Sequence, residues 1–216
     1  IFNFFEKFEY GKNFLIPIRN FKSSYNPNII YTKNNLSPNS DIYNVLPKNP
    51  PLINFNKEEE IIGNDFLKKH NISVKDKIIC IHSRSTSYRN EKFNSVRNSS
   101  IENFTKGTNY LTNKGFKVIR MGRDEVIPFN KKNNNVFDYS ISAEQSDFLD
   151  FFIISKCVFF IGAASGLADI AKIFRKPILI HNILNFKDLI HFVGDSEKII
   201  LPKKIWDKSK KKFLNF

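Results

Sequence analysis

Residues 157–171 constrain the fold more than any other part of the chain. They begin with an apolar run too short for a helix, break at Gly162 into small residues, and continue as an amphipathic helix. This pattern predicts a strand, a tight turn and a helix N-terminus. Gly162, Ala164, Ser165 and Gly166 would let an anion approach the turn's backbone amides, where the helix dipole favours negative charge. Taken alone, this turn is more typical of an ordinary strand-to-helix connection that is only closely packed.

Strand-like apolar runs alternate with helical patterns along most of the chain. The runs lie at residues 77–82, 116–121, 136–139, 157–161, 177–181 and 198–201, and the helical patterns at 58–70, 99–114, 143–155 and 165–174. Repeated strand–helix units predict an α/β fold, a Rossmann-like parallel sheet with helices on both faces. Such sheets bind ligands at the carboxyl ends of their strands.

Local signals place the ends of two of these helices. Ser99 with Glu102, and Ser142 with Gln145, have the spacing of capping boxes. Gly115 predicts the end of the helix at residues 99–114.

A proline-rich segment at residues 36–56 predicts an extended linker. We therefore divide the chain into residues 1–56, a partial N-terminal or interdomain segment, and residues 57–216, a Rossmann-like domain. Because the sequence opens at Ile1 and contains one methionine, Met121, we expect it to be a fragment of a longer protein.

Polar residues follow the predicted strands where a ligand would bind. His82 and Arg84 end the first strand, and Arg97 lies in the loop after it. Guanidinium groups are planar, bidentate donors to phosphate, and lysine is the default cation of this chain, so Arg84 indicates a polyanionic ligand. Arg97 could instead pair with a surface acid, and His82 could be a buried histidine satisfied by backbone. The next strand ends add further candidate binding residues: Gly122, Arg123 and Asp138.

The formal net charge of +13 suggests an anionic partner, which could be nucleic acid, a membrane surface or a phosphorylated substrate. Lysine far outnumbers the seven arginines, which indicates a compositional bias, and no RNA-recognition or zinc-finger motif is present. Nucleic acid is therefore not favoured. We expect the lysines at residues 203–212 to be solvated, or at most to make a peripheral contact with anionic lipid.

Several functional classes lack their motifs. The histidines and cysteines have no metal-ligand spacing, so we predict no metal, and Cys80 and Cys157 fit core packing in a reducing compartment. No Walker lysine or Gly-x-Gly-x-x-Gly motif is present, which argues against ATP hydrolysis and dinucleotide redox chemistry. The turn is not a Gly-x-Ser-x-Gly elbow, although Asp188 and His191 follow in the hydrolase order. No apolar run approaches the roughly 20 residues of a membrane span.

Five blocks in a fixed order carry a family resemblance. They are His82-x-Arg84, Arg97-Asn98, and residues 118–122, 147–151 and 157–171. Together they resemble a bacterial family of surface-polysaccharide glycosyltransferases, over residues 47–216. More distantly, the His-x-Arg strand end and the Ser-Gly turn resemble fucosyltransferases, whose C-terminal Rossmann-like domain holds GDP-fucose in a GT-B fold.

The resemblance implies the C-terminal, donor-binding half of a metal-independent GT-B glycosyltransferase of the hexosyl- or fucosyltransferase kind. The donor would be a nucleotide-sugar, with a GDP-sugar favoured and no cofactor, and the acceptor a glycan or a lipid-linked glycan in cell-surface polysaccharide synthesis. The enzyme would be cytoplasmic, or peripheral at the inner face of the cytoplasmic membrane.

By the same resemblance, Arg84 would bind the β-phosphate of the donor as the catalytic residue and His82 would lie near the nucleoside. Ser165 and Gly166 would hold the diphosphate. The sequence departs from the family at Ser85, where relatives often have an acid. This departure leaves open a non-catalytic relative that binds nucleotide-sugars, and the net charge of +13 leaves open a non-enzymatic protein that binds anions or nucleic acid.

Overall fold

A computed structural model describes residues 48–85, 98–123, 125, 127–130, 132–183 and 198–213. Of the predicted site residues, Arg97 lies outside these ranges, as do Asp188 and His191. In chain order the elements are α1 (Lys57–Lys69), β1 (Ile78–His82), α2 (Thr105–Asn113), β2 (Lys117–Met121), β3 (Val136–Asp138), α3 (Asp147–Lys156), β4 (Cys157–Ala163), α4 (Gly166–Ile173), β5 (Ile178–Ile183), β6 (Lys198–Pro202), β7 (Trp206–Asp207) and β8 (Lys212–Phe213).

The first six strands form one sheet in the order β3-β2-β1-β4-β5-β6, and every neighbouring pair is parallel. From β1 the chain moves outward through β2 to β3, then returns to the middle at β4 and continues to β5 and β6. The strand order therefore reverses between β1 and β4. We name the carboxyl ends of these two strands the switch point, which is where open α/β sheets bind their ligands.

Alternating residues of the central strands feed two hydrophobic cores. Ile78 and Cys80 of β1 face the larger core, together with buried residues of α1, α3 and α4. Ile79 and Ile81 face the smaller core, which also contains Ile101 and, partly buried, Leu111 of α2. This period of two is that of a strand covered on both faces. The predicted parallel sheet with helices on both faces is therefore confirmed.

The start of α2 differs from the prediction. A 3₁₀ turn at Ile101–Phe104 precedes the α-helix, and its N-cap is Ser100, whose side chain accepts from the Glu102 amide at 3.2 Å. Ser99 bonds Ser83 instead. The predicted Ser99 capping box is wrong because this neighbouring serine takes the cap. The predicted end is confirmed: Gly115 has φ +86°, the left-handed conformation of a helix C-terminus.

The start of α3 also differs from the prediction. The helix begins at Asp147, and the Ser146 side chain accepts from the Leu149 amide at 3.1 Å. The Gln145 side chain reaches outside the helix, to the carbonyl oxygens of Gly122 and Tyr139. The predicted box of Ser142 with Gln145 is therefore wrong. At α1, Asn56 and Glu59 form a true capping box that was not predicted.

The end of the predicted linker packs onto the domain. The Phe55 ring lies 5.2 Å from that of Phe152 and 6.0 Å from that of Phe174, measured between centroids. The Arg175 side chain also donates to the carbonyl oxygen of Asn49. Ile53 and Phe55 of this segment thus pack against the core, while the division at residue 56 stays a prediction.

Two helical glycines should respond oppositely to alanine. A Cβ on Gly63 would overlap the fully buried Phe152 ring, whereas one on Gly107 would meet no atom of the described part of the chain within 4 Å. We expect Gly63→Ala to lower the free energy of unfolding by about 1–3 kcal/mol through overpacking. Gly107→Ala should raise it by about 1 kcal/mol, since alanine favours the helix. Urea denaturation measures both, and shifts in the same direction would contradict this packing.

Both cysteines are free thiols with exposed fractions of 0 and 1%. Cys80 lies on β1 and Cys157 on β4, and burial raises the pKa of the Cys80 thiol. Among the described residues, no helix has both the length and the apolar character that a bilayer crossing requires.

Candidate functional site

The switch point brings three polar side chains together. His82, the last residue of β1, pairs in register with Gly162 of β4. Its Nδ1 lies 3.3 Å from Oγ of Ser165, in the turn that follows β4. His181 of β5 approaches from the other side, with Nε2 3.3 Å from the backbone oxygen of His82. His82 and Ser165, chosen independently from the sequence, are therefore in direct contact.

Gly162 and Gly166 have different roles in this turn. A Cβ on Gly162 would lie 2.6 Å from the Phe160 ring and 3.3 Å from Cβ of His82. A side chain there would separate β4 from β1, so Gly162 is required for close packing. Gly166 begins α4 and is exposed, and a Cβ there would meet no atom of the described residues within 4 Å.

The N-terminus of α4 has the features of an anion-binding turn. Its N-cap, Ser165, makes no side-chain hydrogen bond to the helix, because its hydroxyl faces His82. The first amides of a helix have no partner within the helix, and they carry the positive end of its dipole. Since Gly166 is exposed, a small anion can reach the first amide of the helix from solvent.

His82 is neutral at physiological pH. Burial, with smaller electrostatic contributions from His181, Arg84 and Arg120, lowers its pKa to about 4. A neutral imidazole exchanges one hydrogen bond with Ser165 and adds no charge. Of the two residues in the His-x-Arg strand end, only Arg84 therefore offers a positive charge to an anion.

Acid should destabilise the fold through His82. Its folded pKa of about 4 lies below the ordinary 6.5, so the unfolded chain takes up the proton first as pH falls. The stabilisation is complete above pH 6.5 and is lost between 6.5 and 4, to a maximum of about 3 kcal/mol. Urea denaturation across this range should give a smaller pH dependence for His82→Gln than for the native chain. Equal slopes would contradict a neutral, buried imidazole.

Backbone contacts fix the position of Arg84. Its carbonyl oxygen accepts from the Ser99 amide at 3.0 Å, and the Ser83 hydroxyl donates to the Ser99 carbonyl at 2.5 Å. The chain on both sides of the loop between β1 and α2 is thereby held together. Arg84 is half-buried directly beyond the end of β1, so its backbone is anchored beside the switch point.

Asp138 lies in an ionic cluster centred on Arg120. One of its oxygens accepts from Arg120 at 3.2 Å and from the Phe129 amide, and the other from Ser140. Arg120 also pairs with Glu125 at 3.0 Å. The exposed fractions of the Arg120, Glu125 and Asp138 side chains are 2, 9 and 10%, so the cluster is buried. Both Asp138 oxygens are thus used internally, and its role toward a substrate stays a prediction.

Sequence reasoning missed Arg120 as the centre of this cluster. The available signal was an arginine inside an otherwise apolar strand, in a chain whose common cation is lysine. A buried arginine requires carboxylate partners, but the sequence does not indicate which acids supply them.

Arg123 ties the end of β2 to the start of α3. Its guanidinium bonds Asp147 and also Asp150, the latter at 2.7 Å. Gly122, with φ +141°, precedes it and accepts from Gln145. Because Arg123 pairs with these acids, it holds the end of β2 against α3. Its contact with a substrate stays a prediction.

A carboxylate reaches the position where the family resemblance expects an acid. The Ser85 hydroxyl donates to Oε1 of Glu125 at 2.5 Å. Glu125 is far from Ser85 in the chain and was not among the predicted site residues. In the ranges that the structure covers, no three His, Cys, Asp or Glu side chains group closely enough to hold a metal ion.

Neither profiles of protein families nor curated protein sequences match this chain. Among solved structures, it is similar to a glycosyl transferase of family 9 from Veillonella parvula, with 15% identity and a TM-score of 0.51 over 70% of this chain and 42% of that one. It is also similar to ADP-heptose LPS heptosyltransferase II of E. coli, with 11% identity and a TM-score of 0.53 over 72% of this chain and 45% of that one.

At these identities the likeness concerns the fold. The chain spans less than half the length of each of these two glycosyltransferases. It therefore shares its architecture with one part of each, in agreement with the predicted half of a GT-B fold.

Proposed function

We propose that this chain is the donor-binding half of a glycosyltransferase, which binds the diphosphate of a nucleotide-sugar at the switch point. The proposal rests mainly on one observation: Ser165, at the N-terminus of α4, contacts His82, two residues before Arg84. An anion-binding turn and an arginine thus lie at the ends of the two strands between which the sheet order reverses.

These groups fit the charge that develops during glycosyl transfer. The departing nucleoside diphosphate becomes more negative as the bond to the sugar breaks. Arg84 and the amides after Ser165 would bind that charge more strongly in the transition state than in the ground state. His82 is neutral, so it does not compete with Arg84 for the phosphate but can hydrogen-bond the sugar or the nucleoside. No step in this scheme needs a metal or a cofactor.

The nucleotide of the donor is the finer part of the proposal. The resemblance to fucosyltransferases favours a GDP-sugar, whereas one structural neighbour is a heptosyltransferase that uses ADP-heptose. Both donors carry the same diphosphate, so the switch point serves either. The acceptor would be a glycan or a lipid-linked glycan of a cell-surface polysaccharide, and the protein would act in the cytoplasm or against the inner membrane surface.

Calorimetric titration of the chain with GDP, ADP, UDP and CMP tests this function. We expect a diphosphate of one base to bind more tightly than the others and CMP to bind weakly, since CMP lacks the β-phosphate. Absence of heat with all four would refute the proposal. Binding that falls steeply with salt and does not distinguish the bases would favour the alternative anion- or nucleic-acid-binding protein.

The acceptor hydroxyl also needs a base. Among the described residues, Glu125 is the carboxylate that reaches Ser85, and both of its oxygens already accept hydrogen bonds, the second from Arg120. This observation supports the second candidate function, a relative that binds nucleotide-sugars without transferring them. Nucleotide binding with no sugar transfer by the protein in its complete form would establish that alternative.

A further inference from the structure

The hairpin after β6 exposes aromatic rings among lysines. We name residues 203–213 the basic hairpin; it contains β7 and β8, which pair Trp206 with Phe213 and Asp207 with Lys212. The Trp206 and Phe213 side chains are 50 and 52% exposed and meet edge to face at 5.0 Å. Large aromatic residues are normally buried in a small domain, so this pair requires an explanation.

The basic hairpin carries a large net positive charge. It contains six lysines and one acid, Asp207. The Asp207 carboxylate accepts from the amides of Ser209 and Lys210, so it stabilises the turn of the hairpin. Lysines at both ends of the hairpin remain exposed, and Lys204 lies over the Phe213 ring at 5.6 Å.

Aliphatic side chains extend this surface. Ile205 is 39% exposed, and Ile199 and Leu201 of the edge strand β6 are each about half exposed. Ile199 and Leu201 lie directly before the hairpin in the chain, and Ile205 lies within it. Exposed aliphatic area strengthens binding to a lipid interface but adds little to binding a phosphate backbone.

We propose that the basic hairpin docks the protein on an anionic lipid bilayer, with Trp206 and Phe213 at the level of the headgroups. Tryptophan is enriched at membrane interfaces, and each lysine near an anionic leaflet strengthens the attraction. Nucleic acid fits this surface less well. The hairpin contains no arginine, and the Trp206 and Phe213 rings pack against each other, which leaves less ring surface for stacking on bases. The aliphatic residues would also have no apolar partner on a nucleic acid.

Docking through this hairpin would also orient the switch point. The hairpin begins at the carboxyl end of β6, where the Lys203 amide donates to Ile183 and its ammonium to the carbonyl oxygen of Asn98. These contacts place its base at the edge of the sheet that carries His82 and Arg84. The bilayer would then lie on the ligand-binding side of the sheet, although the contact itself does not depend on the proposed transfer reaction.

The chain contains a built-in probe, because Trp206 is its only tryptophan. We expect its fluorescence to shift to shorter wavelength when vesicles of phosphatidylcholine and phosphatidylserine are added to the nucleotide-free chain. Vesicles of phosphatidylcholine alone should give no shift, and salt should weaken the binding. Because nucleotide is absent, the result is independent of the calorimetric test of the proposed function.

Charge-reversal variants distinguish binding through the hairpin from attraction by the net charge of the whole protein. Lys210→Glu with Lys212→Glu should weaken binding to the anionic vesicles by more than about tenfold in a flotation assay. Lys75→Glu with Lys132→Glu makes the same charge change at exposed positions in loops that precede β1 and β3, and should retain most of the binding. Trp206→Ala with Phe213→Ala should also lose affinity while keeping all the lysines.

Three results would overturn the proposal. One is binding to vesicles without a change in Trp206 fluorescence, because the contact would then lie elsewhere. Another is equal loss from the two charge-reversal pairs, which would mean attraction by net charge alone. The third is tight binding to a single-stranded oligonucleotide with no affinity for anionic vesicles.

Discussion

Replacing Arg84 by alanine is expected to weaken binding of the preferred nucleoside diphosphate by roughly 10- to 100-fold, the range for losing hydrogen bonds to a charged group. Arg84 is the cation beyond the end of β1, next to a histidine that burial keeps neutral. Its guanidinium can bind two phosphate oxygens at once, and no described neighbour at the switch point could replace that geometry. Calorimetry measures the change, with circular dichroism to confirm that the variant folds.

Two matched variants make this test specific. Arg84→Lys keeps the charge but loses the planar fork, so its affinity should fall between those of the native chain and Arg84→Ala. Arg123→Ala removes a second predicted arginine, which pairs with Asp147 and Asp150, and should affect nucleotide affinity far less. If affinity is indifferent to Arg84 but falls in Arg123→Ala, the diphosphate binds elsewhere on the carboxyl edge.

The largest effect on stability is expected at Arg120. Arg120→Ala should lower the free energy of unfolding by about 3–5 kcal/mol, because it leaves two buried carboxylates without their counter-ion. Those carboxylates belong to Glu125 and Asp138, and the guanidinium also donates to the carbonyl oxygen of Ile127 at 2.6 Å. Urea or thermal unfolding measures the loss.

A neutral version of the cluster is the control. Arg120→Met combined with Glu125→Gln and Asp138→Asn removes all three charges, and should cost less than Arg120→Ala alone. Arg120→Lys should be intermediate, since it restores charge without the fork. A loss below about 1 kcal/mol in Arg120→Ala would mean that water solvates the carboxylates, as it does for exposed ion pairs.

The elements were more predictable from the sequence than their ends. Strands and helices follow from apolar periodicity, which depends on many residues together. A helix start depends on one side chain, and two serines, Ser99 and Ser100, compete at the first turn before α2. Ser99 is not the N-cap because its hydroxyl bonds Ser83, sixteen residues earlier in the chain. Rules based on neighbouring residues cannot predict such a contact. Strand order within the sheet was likewise not predictable from single runs.

The candidate site divides in the same way. That Arg84 and the turn at Ser165 lie at one edge follows from parallel strands, whose carboxyl ends meet. That these two strands are neighbours where the order reverses requires the whole topology. Asp138 and Arg123 also lie at strand ends. Their ion pairs, Asp138 with Arg120 and Arg123 with Asp150, depend on how the elements pack together. The sequence therefore predicts which polar residues follow a strand. It does not predict whether those residues already pair with another side chain of the protein.

The buried cysteines make the centre of the sheet open to kinetic measurement. Cys80 lies on β1 and Cys157 on β4, and a reagent can modify them only when these strands separate or the helices over them lift away. The rate of thiol labelling in the native protein thus reports local opening at the core of the domain. The same two strands end at the switch point, so a ligand bound across them would slow that rate, and occupancy of the site could be followed without any label on the ligand.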